Sequence, residues 1–214
     1  MKKLVTLLYA VLAGICIGLG GIAYLSAQNP IVGAFLFSVG LFSICTLELN
    51  LFTGKILYIF ENDKQYALNL IIIWVGNLIG AVSIGLLTKF TRIAKMTIGN
   101  VTFAEKAANL CSIKLSDNLL SIFILAVFCN IMIFIAVESY NKNPHEIGKY
   151  MGIIFGVMIF VLSGFEHCIA DMFYFTAGNA WSLHTIVYLI VITAGNAVGG
   201  LIFPICKIIK NKYE

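Results

Sequence analysis

Two apolar segments, each long enough to cross a bilayer, are interrupted in the middle by polar and acidic residues. The first interruption, residues 47–54, reads LELNLFTG, and the second, residues 163–172, reads SGFEHCIADM. Such residues are expensive in hydrocarbon, so they are expected to line a water-filled path or a binding site. A matched pair of interrupted segments also indicates where a transport protein binds its substrate. We therefore expect a channel or transporter whose site lies at the two interruptions.

The composition places the whole chain in a membrane. Of its 214 residues, 60% are hydrophobic and 11% are charged, and the mean hydropathy is +0.97. This balance is typical of an integral membrane protein rather than a soluble domain. The six cysteines are scattered, and no Cys or His group has the spacing of a zinc site. We expect no metal, no cofactor, no catalytic residue and no nucleic-acid partner.

The hydropathy pattern predicts six membrane spans, of which the second and fifth contain the interruptions. The predicted spans lie near residues 4–27, 32–60, 66–88, 117–138, 148–178 and 184–209. They form one transmembrane domain, 1–214, with a first repeat at about 1–90, an outer loop at about 89–116 and a second repeat at about 117–214. The fold class is therefore all-α, with helices two and five broken.

Three features recur in the two halves at nearly constant separations. These are Asn29-Pro30 with Asn143-Pro144, Glu48 with Glu166, and the glycine pair Gly76/Gly80 with Gly195/Gly199, at separations of 114, 118 and 119 positions by residue number. A near-constant separation indicates an internal repeat. Because three spans per repeat is an odd number, the second copy must enter the membrane in the opposite orientation.

The basic residues favour an orientation with both termini in the cytoplasm, as a multi-pass protein of the cytoplasmic membrane. In that orientation the inner side holds Lys2, Lys3, Lys55, Lys64, Lys142, Lys149, Lys207, Lys210 and Lys212, and the outer side holds Lys89, Arg92, Lys95, Lys106 and Lys114. The outer five fall in one loop, which predicts a basic vestibule that concentrates anions.

His167 is the strongest candidate for a substrate-contacting residue. Imidazole titrates near neutral pH, so it either holds an anion as a cation or passes a proton to it. Thr53 ends the first interruption, where we expect its hydroxyl to hydrogen-bond a substrate or the imidazole of His167, or to cap the following helix. For Glu48, Glu166 and Asp171 we expect a structural role, because unwound backbone in a membrane must find hydrogen-bond partners locally.

Residues 163–172 resemble the fifth-helix signature SGFEHSIANM of the formate/nitrite transporter family. Residues 51–54, LFTG, are similar to its second-helix loop, and Phe128-Cys129-Asn130 and Gly195-Asn196 are similar to its fourth and sixth helices. Lys114 precedes Asn130 by 16 positions, as the vestibule lysine of the family does. The resemblance covers the chain from the first span to the sixth.

This resemblance implies an aquaporin-like protomer with its own pore, assembled as a homopentamer and permeable to small monovalent anions of weak acids. Formate, nitrite and hydrosulfide are the substrates it suggests, with permeation linked to protons. It also implies roles for individual residues. His167 and Thr53 would form the centre of the pore, Lys114 and Asn130 would lie on the anion path, and the apolar constrictions would be Phe37, Leu41, Leu51 and Phe52 on one repeat with Ile133 and Phe160 on the other.

Two residues depart from the signature, because Cys168 replaces its serine and Asp171 its asparagine. An acid one helical turn from His167 would favour the protonated imidazole. Two other functions remain open: an aquaglyceroporin-like channel for water or small neutral solutes, and an intramembrane serine protease. The protease would use Ser163, but Val161 stands where that motif requires glycine, so we do not expect an enzyme.

Overall fold

The computed structural model describes residues 1–214 and contains nine α-helices and one short hairpin. The helices are α1 Lys2–Ser26, α2 Pro30–Thr46, α3 Phe52–Lys55, α4 Lys64–Lys89, α5 Phe103–Ser116, α6 Leu119–Lys142, α7 Glu146–Leu162, α8 Cys168–Ala177 and α9 Leu183–Tyr213. Two 3₁₀ turns span Ile56–Glu61 and Arg92–Lys95, and strands β1 Thr97–Ile98 and β2 Val101–Thr102 pair antiparallel.

Polar side chains fix where several helices begin. Asn29 accepts hydrogen bonds from the backbone N–H groups of Ile31 and Val32, with Pro30 as the first helical residue of α2. Thr102 and Glu105 form a reciprocal capping box at the start of α5. These contacts satisfy N–H groups that have no partner inside the helix.

Four helices, α1, α4, α6 and α9, are long and apolar enough to cross a membrane. Helices α2 and α7 have 17 residues each, which corresponds to about 26 Å and falls short of a bilayer core of about 30 Å. Each of the two is followed by a loop and a further helix, α3 or α8. The structure therefore ends and restarts its helices at both interruptions that the sequence indicates.

Small residues allow the long helices to pack closely. A Cβ atom on Gly80 of α4 would lie 2.1 Å from the backbone oxygen of Val11 on α1. Likewise, a Cβ on Gly199 of α9 would lie 2.1 Å from the backbone oxygen of Val127 on α6. The α1–α4 and α6–α9 pairs thus use the same backbone-to-backbone contact.

Many large apolar side chains are exposed on the surface, and several polar side chains are buried, as expected for a protein that crosses a membrane. Ile71, Leu87 and Ile190 are each at least 60% exposed. The buried polar side chains include Thr53, Asn77, Asn130, His167, Asp171 and Asn196. Since an exposed apolar surface of this extent is unstable in water, it must face lipid or another subunit. The chain is a multi-pass membrane protein.

Candidate functional site

Two cavities approach the buried contact between Thr53 and His167. The first, which we call the His167 cavity, has a volume of about 150 Å³ and is lined by residues of α5, α7, α8 and the loop before α8, His167 among them. The second, the Glu48 cavity, has a volume of about 300 Å³ and is lined by Glu48, Leu51 and Gly54. Thr53 lies between Leu51 and Gly54 in the chain. His167 therefore lines the first cavity directly, whereas Thr53 lines neither cavity and adjoins the second through its neighbours in the chain.

Two asparagines hold the interrupted loops in place with the same set of hydrogen bonds. Asn77 on α4 accepts from the backbone N–H of Phe52 at 2.8 Å and donates to the carbonyls of Ala10 and Asn50 at 2.7 and 2.8 Å. Its two bonds to the loop satisfy backbone groups that no helix serves.

Asn196 on α9 makes the matching set of bonds. It accepts from the backbone N–H of Cys168 at 2.9 Å and donates to the carbonyls of Ala126 and Glu166, both at 2.8 Å. Each of its three partners, Ala126, Glu166 and Cys168, stands 116 positions after the matching partner of Asn77, by residue number. Asn50 therefore corresponds to Glu166, which corrects our pairing of Glu48 with Glu166.

The hydrogen bonds of His167 determine which of its nitrogens carries the proton. His167 caps the N-terminus of α8, where its Nδ1 accepts from the backbone N–H of Ala170 at 3.2 Å. An accepting Nδ1 has no proton, so the neutral ring carries its proton on Nε2. Nε2 lies 3.0 Å from the Thr53 hydroxyl oxygen, and it is therefore the donor in that bond.

The Thr53 hydroxyl has no acceptor for its own proton. Its oxygen has one side-chain partner, the Nε2 of His167, which is itself a donor. Thr53 is fully buried. Asn130 fixes this loop by donating to the carbonyls of Thr53 at 3.2 Å and Asn196 at 2.7 Å, while its own Oδ1 has no partner. The pair at the centre thus keeps one unused hydroxyl donor.

Lys114 lies in the wall of the His167 cavity between two acids. Its Nζ is 2.6 Å from Oε2 of Glu166 and 3.0 Å from Oδ1 of Asp171. All three side chains are at least nine-tenths buried. The contact to Glu166 is a hydrogen bond, whereas the contact to Asp171 is an ion pair in which neither carboxylate oxygen accepts a hydrogen bond.

The remaining basic residues of the predicted outer loop do not line this cavity. Lys89 donates to Asn179 at 2.8 Å, and Lys106 donates to the carbonyl of Ala27 at 2.6 Å. Partial burial lowers the pKa of Lys106. Of the basic residues predicted for the outer loop, Lys114 alone lines the His167 cavity, and its charge is shared with two acids.

The expected bracing by acidic residues is found at neither interruption. Glu48 adopts a φ of 54°, and its side chain is exposed in the cavity named after it without a hydrogen bond. Glu166 and Asp171 face Lys114 rather than backbone N–H groups. The loops are braced by Asn77 and Asn196 instead, because an amide supplies both a donor and an acceptor whereas a carboxylate only accepts.

The residues predicted to form the constrictions are all buried, but they group by cavity rather than by repeat. They are Phe37, Leu41, Leu51, Phe52, Ile133 and Phe160. Phe37 and Phe160 line the His167 cavity with ring centroids 5.8 Å apart, and Phe160 also stacks on His167 at 5.6 Å. Leu41 and Leu51 line the Glu48 cavity, and Phe52 and Ile133 line neither.

The bracing role of Asn77 and Asn196 is not among the roles that the sequence predicted. A signal for them was present, since each stands one position after the first glycine of the repeated glycine pair. We read these segments only as helix-packing motifs. A buried amide beside a helix-packing glycine in an apolar span indicates a hydrogen bond to unwound backbone.

Comparisons with known proteins agree with this architecture. A family model described as "Formate/nitrite transporter" matches residues 1–208. The probable formate transporter of Methanothermobacter thermautotrophicus is 31% identical over 212 residues, which cover 88% of this chain and 77% of that protein. The formate channel FocA of Haemophilus influenzae is 28% identical over 232 residues, covering 89% and 80%.

A solved structure, described as a pentameric formate channel with formate bound, superimposes with a TM-score of 0.86. The match covers 100% of this chain and 98% of that one at 26% sequence identity. These similar proteins are channels or transporters, and none of them is described as an enzyme.

Proposed function

Because the chain belongs to the formate/nitrite transporter family, we propose that it is a pore for small monovalent anions of weak acids, with formate as its first candidate substrate. The observation that carries the proposal is the buried Thr53–His167 pair between two cavities. The names of the similar proteins support formate. Nitrite and hydrosulfide are similar anions in size and charge, and they are the alternatives to be compared in the same experiment.

The architecture we propose has six spans in two inverted repeats. Helices α2 and α3 together form the second span, and α7 and α8 the fifth. The equivalent bonds of Asn77 and Asn196, together with the equivalent glycine contacts of α4 and α9, support the repeat. The excess of basic residues on one side supports cytoplasmic termini in the cytoplasmic membrane.

The proposed path runs from the His167 cavity, between Phe37 and Phe160, past His167 and Thr53, and into the Glu48 cavity beyond Leu51. A bare anion is strongly opposed by an apolar ring, because it loses its hydration without a replacement. A hydrogen-bond donor in the centre lowers this barrier, since bonds to charged groups stabilise by about 1.5–3 kcal/mol.

Thr53 supplies that donor in the proposed mechanism. His167 is held neutral by the N–H of Ala170, so it offers no full positive charge at rest. Its Nε2–H donates to the Thr53 oxygen, which leaves the hydroxyl hydrogen free to donate to an anion. Donation from His167 also polarises the hydroxyl and strengthens it as a donor. A permeating anion is thus bound by the Thr53 hydroxyl, which His167 orients from the N-terminus of α8.

We also propose a homopentamer in which each protomer has its own pore. The structurally similar formate channel is described as pentameric. Large exposed side chains on several helices, such as Ile71 and Ile190, supply apolar surface for both lipid and neighbouring subunits. The mass of the detergent-solubilised complex, measured by light scattering with the detergent contribution subtracted, tests this assembly.

Uptake into liposomes that contain the purified protein tests the proposed function. Formate, nitrite, hydrosulfide and glycerol are compared with empty liposomes at the same pH. We expect the anions to enter faster than in empty liposomes while glycerol does not. Glycerol uptake without anion uptake would contradict the proposal and favour the channel for neutral solutes.

A further inference from the structure

The charged side chains that line the His167 cavity carry more negative than positive charge. Asp117, Glu166 and Asp171 face the cavity, and Lys114 is its single basic residue. When all four are ionised, three negative charges against one positive leave an excess of two. This excess opposes an anion in a space of about 150 Å³. An anion path through this cavity therefore requires that some of the negative charge be removed.

Two of the three acids accept hydrogen bonds at their carboxylate oxygens. Glu166 accepts a hydrogen bond of 2.6 Å from Lys114. Asp117 is half-buried and accepts hydrogen bonds from the backbone N–H of Asn118 and from the Ser121 hydroxyl. Hydrogen bonds to the charged form favour ionisation. Both residues therefore have hydrogen-bond donors for their carboxylate oxygens.

Asp171 differs from both of them. It is fully buried, and neither of its oxygens accepts a hydrogen bond. The ammonium of Lys114 forms an ion pair with its Oδ1 at 3.0 Å, and it shares its single charge with Glu166, to which it also donates a hydrogen bond. A buried carboxylate without donors is costly, and the cost disappears when the group takes up a proton.

The titratable and charged groups around Asp171 come from four helices and the loop before α8. They are Tyr24 on α1, Cys111 and Lys114 on α5, Cys129 on α6, Glu166 and His167 in the loop, and Cys168 and Tyr174 on α8. Lys114 is the only permanent cation among them, and its one charge is shared by Glu166 and Asp171, so the three groups together are net negative when all are ionised. Nothing else near Asp171 offsets its negative charge.

We propose that Asp171 is a proton-binding site of the pore, and that an anion occupies the His167 cavity when this carboxyl group is protonated. The inference rests on the proposed function of the chain as an anion pore. The proton comes from the solution that fills the cavity and forms an O–H bond with a carboxylate oxygen of Asp171. Protonation leaves the Lys114–Glu166 pair electrically balanced, with Asp117 at the more exposed edge, where solvent screens it.

The variant Asp171→Asn tests this role, because asparagine has the same shape as a protonated aspartate but cannot lose a proton. Formate uptake into liposomes is measured between about pH 5.5 and pH 8, with the same pH on both sides and the leak of empty liposomes subtracted. We expect wild-type uptake to fall on the order of tenfold or more as pH rises, since one added charge has that effect at these distances. The variant should keep its low-pH rate throughout.

A matched control is Cys168→Ser on the same helix, whose thiol is buried and lines neither cavity. It should keep the wild-type pH profile. If Asp171→Asn retains the wild-type profile while both proteins conduct formate, the role of Asp171 is refuted and the proposed function stands. If the wild type conducts no anion at any pH, the proposed function fails and the inference with it.

An independent measurement covers the case in which Asp171→Asn does not assemble. Infrared difference spectra of the wild type between low and high pH report the C=O stretch of a buried protonated carboxyl group. We expect such a band at low pH, and it should persist in Cys168→Ser. Its absence over the pH range in which uptake changes would overturn the proposal.

Discussion

Replacing Asn196 with leucine removes three buried hydrogen bonds and keeps most of the side-chain volume. One of its acceptors, the carbonyl of Ala126, lies inside α6 and retains its helical partner. The N–H of Cys168 and the carbonyl of Glu166 have no other partner. Two orphaned backbone groups at about 1–3 kcal/mol each predict a loss of about 2–6 kcal/mol in the free energy of unfolding.

The loss is measurable by equilibrium unfolding in mixed micelles with a rising fraction of a denaturing detergent. Asn77→Leu should be destabilised by a similar amount, because it orphans the N–H of Phe52 and the carbonyl of Asn50. Asn196→Asp should also be destabilised, because its carboxylate accepts from Cys168 but cannot donate to the carbonyls of Ala126 and Glu166. Asn211→Leu, an exposed position on the same helix, is the control. A loss at Asn196 no larger than at Asn211 would refute the bracing role.

Two further predictions concern packing and the constriction. Gly80→Ala should destabilise the protein by about 1–3 kcal/mol because its new methyl group meets the backbone of Val11, which cannot move like a side chain. Gly54→Ala, with its nearest neighbour 3.6 Å away, should cost less in the same unfolding assay. Phe160→Ala should widen the passage beside His167, so that acetate uptake rises relative to formate uptake in liposomes. An unchanged uptake ratio would remove Phe160 from the path.

The positions of the two interruptions could be predicted because a polar residue in a long apolar run has few explanations. The loops occur at residues 47–51 and 163–167, within or beside the interruptions that the sequence indicates. His167 and Thr53 were each singled out, and the structure places them in contact. The glycine pairs of α4 and α9 were also detectable, because close helix packing requires small residues at these positions.

The partners of the charged residues could not be predicted from the same pattern. Sequence spacing suggested that Glu48 and Glu166 correspond, but the backbone bonds align Glu166 with Asn50. The features compared between the two halves of the chain lie on different spans. Loops of unequal length between these spans change the separation of corresponding residues by a few positions. The contact between Lys114 and Asp171 joins α5 to α8, and no local periodicity reports such a contact.

The most direct test of the account is a comparison of Thr53→Val with Thr53→Ser in the formate uptake assay. Valine keeps the shape of threonine and removes the hydroxyl donor, whereas serine keeps the donor. We predict that the serine variant conducts formate at a rate close to wild type, and that the valine variant is slower by about tenfold to a hundredfold. Formate uptake through the valine variant at the wild-type rate would show that the Thr53 hydroxyl does not bind the permeating anion.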